Sequence, residues 1–133
     1  MQEKRIKILI AEDEPDVLDV MRRKIISAGF DVVIAQDGEI ASQKIAAEDP
    51  DVLILDLNLP QKDGFTILKE LRANPPGPKW QPVIIVSGRT DLEDVKRGFE
   101  LEADHYITKP CNMTDLLKAI HTVISLIPGR QFC

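Results

Sequence analysis

Cysteine is scarce in this chain. Its 133 residues include 2, Cys111 and Cys133, far apart and outside any Cys-x-x-Cys spacing. That excludes a disulfide framework or a thiolate zinc site and leaves a reducing, cytoplasmic compartment as the expectation. Long apolar runs are also missing, so no stretch predicts a transmembrane helix. The start, Met1-Gln2-Glu3-Lys4-Arg5, carries no signal-peptide hydrophobic region. Basic residues do not dominate: 17 Lys and Arg against 22 Asp and Glu give a formal charge of −5 and a pI near 5.0. That balance argues against direct nucleic-acid binding and against binding to anionic membranes, since both need a basic face. Internal repeats and low-complexity tracts are absent. What is present, 44% hydrophobic and 29% charged residues, suffices for one core and a soluble surface at the length of one domain.

Five short apolar runs alternate with amphipathic stretches: Ile6 to Ala11, Val32 to Ala35, Val52 to Leu55, Val83 to Val86, and the weaker Tyr106 to Thr108. Short runs rich in Val and Ile predict strands, and near-continuous hydrophobicity predicts burial on both faces, as in a parallel sheet covered by helices. The second and fifth runs suit edge strands. Between them, Pro15 opens a helix with Leu18, Met21 and Ile25 on one face, stopped by Gly29. Asp37 can cap a helix carrying Ala41 and Ile45, and a third runs from about Phe65 to Asn74, ended by Pro75. Asp91 with Asp94 resembles a capping box before Leu92, Val95 and Phe99; Asn112 with Asp115 repeats it before Leu116, Ile120, Val123 and Ile127. Strand then helix, five times over, predicts an α/β doubly wound sheet. The proline-rich loop from Asn74 to Pro82 reads as a connector with Trp80 partly packed on the domain, and 128–133 as a tail.

In such sheets ligands bind beyond the carboxyl ends of the strands, where the strand order reverses. Those ends carry Glu12 and Asp13, Asp56 and Asn58, Ser87 and Gly88, and Lys109 with Pro110. If the first and third strands are neighbours, three carboxylates converge, and their repulsion requires raised pKa values or a cation. A hard divalent ion such as Mg²⁺ suits carboxylates and favours a phosphate oxygen as a further ligand. Asp13 or Glu14 can equally cap the first helix.

The stretches Ile8-Leu9-Ile10-Ala11-Glu12-Asp13-Glu14, Leu53 to Gly64 around Asp56, Val86-Ser87-Gly88 and Tyr106-Ile107-Thr108-Lys109-Pro110 together resemble the receiver domain of two-component response regulators. The resemblance runs from about Lys4 to Ile127, placing the domain at 1–127, and implies a five-stranded, flavodoxin-like parallel sheet of order 2-1-3-4-5 with five helices. It implies that Asp56 is the nucleophile that becomes an aspartyl-phosphate, and that Mg²⁺ is held by Glu12, Asp13, Asp56 and the main-chain carbonyl of Asn58. Lys109, before a cis proline, pairs with the phosphoryl oxygens; Ser87 follows the phosphoryl group on activation, and Tyr106 turns inward with it. The implied donor is the phosphohistidine of a sensor histidine kinase or histidine phosphotransfer protein. The domain would catalyse its own phosphorylation and hydrolysis, acting mainly as a signalling switch on a target protein or output domain that the sequence does not name.

Three departures stand out. Glu12 replaces a more usual Asp, Glu102 stands where Gly is usual and a positive φ would be strained, and Cys111 stands where Phe is frequent, as a small packed hydrophobe. His105 and His121 read as structural or surface residues. Asn58 and Arg89, each two residues past a site residue, are placed to tune water access. The fifth helix carries Leu117 and Ile124 beside its core row, which predicts either a partner surface or packing against the neighbouring helix. Two other functions remain open: a receiver-like scaffold acting without phosphorylation, and a small cofactor binder, the latter disfavoured because acidic residues stand where a phosphate loop would be. The few residues after the fifth helix fit a stand-alone receiver or a piece of a longer regulator.

Overall fold

Each apolar run becomes a strand in the computed structural model, which describes residues 5–125. The order is β1 (Lys7–Ala11), α1 (Pro15–Ser27), β2 (Asp31–Ala35), α2 (Gly38–Glu48), β3 (Val52–Leu55), α3 (Gly64–Ala73), β4 (Val83–Ser87), α4 (Leu92–Glu100), β5 (His105–Thr108) and α5 (Met113–Ser125). All strand pairs are parallel and the sheet runs β2-β1-β3-β4-β5, as expected. Ile127, the tail at 128–133 with Cys133, and residues before 5 lie outside the described residues. Among the described residues no helix is long and apolar enough to cross a membrane.

Alternation along the strands sorts the core into two layers. Leu9, Leu53, Leu55, Val83 and Ile85 pack with Ala41 and Ile45 of α2 and with Phe65, Leu68 and Leu71 of α3. Their strand neighbours Ile8, Ile10, Val52, Ile54, Ile84 and Val86 pack with Leu18, Met21 and Ile25 of α1 and with Leu116, Ile120 and Val123 of α5. Both faces of β3 and β4 are therefore buried, which is why neither strand alternates polar with apolar residues. The edge strands β2 and β5 are mostly half-buried.

Helix ends follow local chemistry in some places and depart from it in others. Asp37 and Asp63 each accept a hydrogen bond from a first-turn amide, of Ile40 and Thr66, at 2.8 Å; Asn112 does so from Thr114 at 2.7 Å. Glu14 occupies the N-cap of α1 without a side-chain bond to the helix, as does Asp91 at α4. The capping box expected at Asp91 is thus not formed. Only the main-chain carbonyl of Asp91 is engaged there, by the amide of Val95.

The expected core row of α4 also turns out otherwise: Leu92 is 81% exposed and Phe99 50%, and Gly98 is the helix's buried residue. On α5 the opposite holds, for Ile124 is buried and Leu117 half-buried in the α1–α5 layer. The packing alternative is therefore the one realised for these two residues, and the two most exposed large apolar side chains among the described residues, Leu92 and Phe99, lie on α4. His121 packs its ring against Phe30.

Candidate functional site

Parallel pairing of β1 with β3 aligns Ala11 with Leu55, so the residues that follow, Glu12 and Asp56, leave the sheet side by side. The amide of Asp56 donates to the carbonyl of Ala11 at 3.0 Å, and that of Glu12 to Ala35 of β2 at 3.0 Å. The strand order reverses between β1 and β3, so this crevice is where the fold makes room for a ligand. Carboxylate oxygens of Glu12, Asp13 and Asp56 lie within 4.8 Å of one another. Glu12 and Asp56 are 2% and 4% exposed, whereas Asp13 is exposed.

Lys109, immediately after β5, crosses to this cluster. Its Nζ donates to Oε1 of Glu12 at 2.6 Å and to Oδ2 of Asp56 at 2.8 Å. Partial burial pulls the Lys109 ammonium down, but bonds to the two carboxylates outweigh it and hold the group above its usual range. The Glu12 carboxyl is shifted up from its ordinary value: burial and the charge of Asp56 together outweigh Lys109 and the amide of Glu14. Both Glu12 oxygens are engaged, Oε2 accepting from the Glu14 amide at 3.1 Å. The other oxygen of Asp56, Oδ1, accepts from the amide of Asn58 at 3.0 Å. The Lys109–Pro110 bond is cis.

Ser87, fully buried at the end of β4, accepts at Oγ from the amide of Arg89 at 3.1 Å. The Tyr106 hydroxyl donates to the carbonyl of the same Arg89 at 2.8 Å, so the two residues are joined through one backbone unit. Burial leads the causes that push the Tyr106 phenol up. The Arg89 guanidinium reaches across the rim and grips Oδ1 of Asn58 through Nε at 2.9 Å and Nη2 at 2.7 Å. The sequence placed both residues at the rim but gave no sign that they clasp, since they lie on loops 31 residues apart. Cys111 is half-buried, with a thiol pushed up chiefly by burial. His105 is half-buried at the start of β5, the opposite end of that strand from Lys109.

The model of the response regulator receiver domain family matches residues 8–121. Among curated relatives, the transcriptional regulatory protein KdpE of Mycobacterium tuberculosis is 36% identical over 117 residues, 88% of this chain and 50% of that protein. The transcriptional regulatory protein RprY of Bacteroides fragilis is 30% identical over 129 residues, 97% of this chain and 53% of that protein. The chain thus spans about half the length of these relatives. Among solved structures, a CheY-like response regulator receiver domain protein from Methanospirillum hungatei superposes with a TM-score of 0.83 at 30% identity, over 90% of this chain and 94% of that one. Chemotaxis response regulator CheY4 of Vibrio cholerae gives 0.83 at 28% identity, over 90% and 99%.

Proposed function

The chain belongs to the response regulator receiver domain family, and from that premise we propose that Asp56 accepts a phosphoryl group from a phosphohistidine of a sensor histidine kinase or histidine phosphotransfer protein. The observation that carries this reading is a carboxylate 4% exposed, set among two more carboxylates and met by one ammonium at 2.8 Å. A buried charge of that kind is costly and is retained where chemistry needs it. In the step, an Asp56 oxygen attacks phosphorus, the N–P bond breaks, and its electron pair stays on the departing imidazole, which takes up a proton. Hydrolysis removes the group: water attacks phosphorus, the O–P bond breaks with its electron pair left on the Asp56 carboxylate, and phosphate departs carrying the water's protons.

Three acidic groups within 4.8 Å exceed the charge of Lys109, and an all-oxygen donor set suits Mg²⁺. Glu12, Asp13, Asp56 and the main-chain carbonyl of Asn58 would hold the ion, which supplies neutralisation of phosphoryl charge when bound. Lys109 offers a point charge to the phosphoryl oxygens, already placed by Asp56 itself. Ser87 would follow the phosphoryl group; its link through Arg89 to Tyr106 gives that movement a route to the face bearing Leu92 and Phe99. The chain works in the cytoplasm and catalyses its own phosphorylation and dephosphorylation, its output passing to a target protein or attached domain.

Incubation with acetyl phosphate and Mg²⁺ should add one hydroxylamine-labile phosphoryl group. Asp56→Asn should abolish it; equal labelling in that variant would remove Asp56 from the role.

A further inference from the structure

Two helices end in the same way on different residues. At the end of α1, Gly29 (φ +100°) donates to Ile26 and Phe30 to Ile25, the paired bonds of a Schellman cap. At the end of α4, Glu102 donates to Phe99 and Ala103 to Gly98, but the left-handed position is Glu102, at φ +68°. A side chain there is strained where glycine is not.

What sits against Glu102 is Arg72 of α3. Its Nε and Nη2 both donate to the Glu102 carbonyl, at 3.1 and 2.9 Å. Nη1 donates to the carbonyl of Gln81 at 2.8 Å, and Nη2 also meets Oδ2 of Asp104 at 3.1 Å. The guanidinium lies 3.7 Å over the Trp80 ring, and Trp80 Nε1 donates to Oδ1 of Asp104 at 3.1 Å. Asp104 in turn is locked to β4, with Oδ2 accepting from the Val83 amide at 2.8 Å and its own amide donating to Val83 at 2.9 Å. The proline-rich loop thus carries Trp80 into a polar lock on the residue just before β5.

β5 is four residues long, an edge strand with one neighbour and no fully buried residue. Its two apolar side chains, Tyr106 and Ile107, pack on opposite core layers but are only partly buried, so the bonds at its ends share in setting its register. One end is Asp104; the other is Lys109, whose amide donates to Ser87 at 2.8 Å. We infer that Arg72 is a positioning residue for Lys109: its guanidinium fixes the start of β5, and through that strand the point at which Lys109 enters the acidic cluster. The effect on phosphoryl transfer rests on the phosphoacceptor reading of Asp56; the effect on Lys109 does not.

Arg72→Met keeps the aliphatic stem and removes every donor. Adding Glu102→Gly to it also removes the backbone strain, so a guanidinium that merely tolerated Glu102 would be fully compensated. In the double variant the melting midpoint should recover most of the loss seen in Arg72→Met. The Lys109 amide should nevertheless exchange faster than in wild type, relative to β3 amides, without any phosphodonor present. Labelling by acetyl phosphate in saturating Mg²⁺ should run about tenfold slower, less than the roughly hundredfold that a full 1 Å misplacement of a catalytic group can cost. Trp80→Phe, which removes one donor to Asp104 and keeps the ring, should shift Lys109 exchange the same way by less, and serves if Arg72→Met does not fold. Wild-type exchange at Lys109 in these variants overturns the inference. An unlabelled wild type overturns the phosphoacceptor reading, and Lys109 exchange still decides this one.

Discussion

Glu12 shows how a single residue couples the site to the stability of the fold. Burial, assisted by the charge of Asp56, raises its carboxyl above the ordinary value of 4.5 against the pull of Lys109 and the Glu14 amide. A group raised in the folded state contributes stability that is complete below its unfolded pKa and is lost as pH rises through its folded pKa. In metal-free buffer the melting midpoint of wild type should therefore fall relative to Glu12→Gln as pH rises from 4.5 towards neutrality. Parallel pH profiles of the two proteins would contradict this. The sequence flagged Glu12 and Glu102 as departures, and both carry consequences. It could not show that Glu12 has both oxygens engaged, because that depends on Lys109 arriving 97 residues later.

At the scale of elements, two glycines on helices predict different outcomes for the same substitution. A Cβ on Gly38, at the start of α2, would lie 1.8 Å from the carbonyl oxygen of Lys62, part of the loop after Asp56. Backbone cannot swing aside, so Gly38→Ala should lower stability by about 1–3 kcal/mol in urea unfolding. A Cβ on Gly98 would meet the Cδ1 end of Ile85 at 3.0 Å and the Tyr106 ring at 3.4 Å. The Ile85 methyl can give way, and alanine gains up to about 1 kcal/mol of helix propensity, so Gly98→Ala should be close to neutral in the same measurement. Equal losses in both would refute the distinction. The central strands were legible because burial on both sides leaves an unbroken apolar run. Helix faces were less so: periodicity gives the direction of a face but not how far neighbours cover it. Hence Leu117 and Ile124 pack inside, while Leu92 and Phe99, placed on a core row by spacing, lie partly outside.

Across the whole molecule, the reactive groups gather at one end of the sheet, and the Arg72, Trp80 and Asp104 network closes the far end of β4 and β5. The first arrangement was legible because strand ends can be read from where apolar runs stop; the strand order that unites them came from resemblance, not from periodicity. The second was hidden, since residues 72, 80 and 104 carry no shared local pattern. Divalent metal should stabilise this architecture by binding the folded state alone, and Asp13→Asn should remove most of the thermal shift in Mg²⁺; an identical shift in both proteins would count against the site. On phosphorylation, amide exchange should change from Arg89, whose backbone bonds both Ser87 and Tyr106, through the α4 that follows it, and around Tyr106. Change limited to the loop after Asp56 would leave a domain that relays phosphate without reshaping that face.

The most direct measurement is reductive trapping. Borohydride converts an aspartyl-phosphate to homoserine, so treating the phosphorylated protein and sequencing its peptides by mass spectrometry locates the acyl phosphate. Homoserine at position 56, absent without phosphodonor or Mg²⁺, is the result expected here. Homoserine at position 13 instead, or none anywhere after verified exposure to phosphodonor and metal, would contradict the assignment of Asp56.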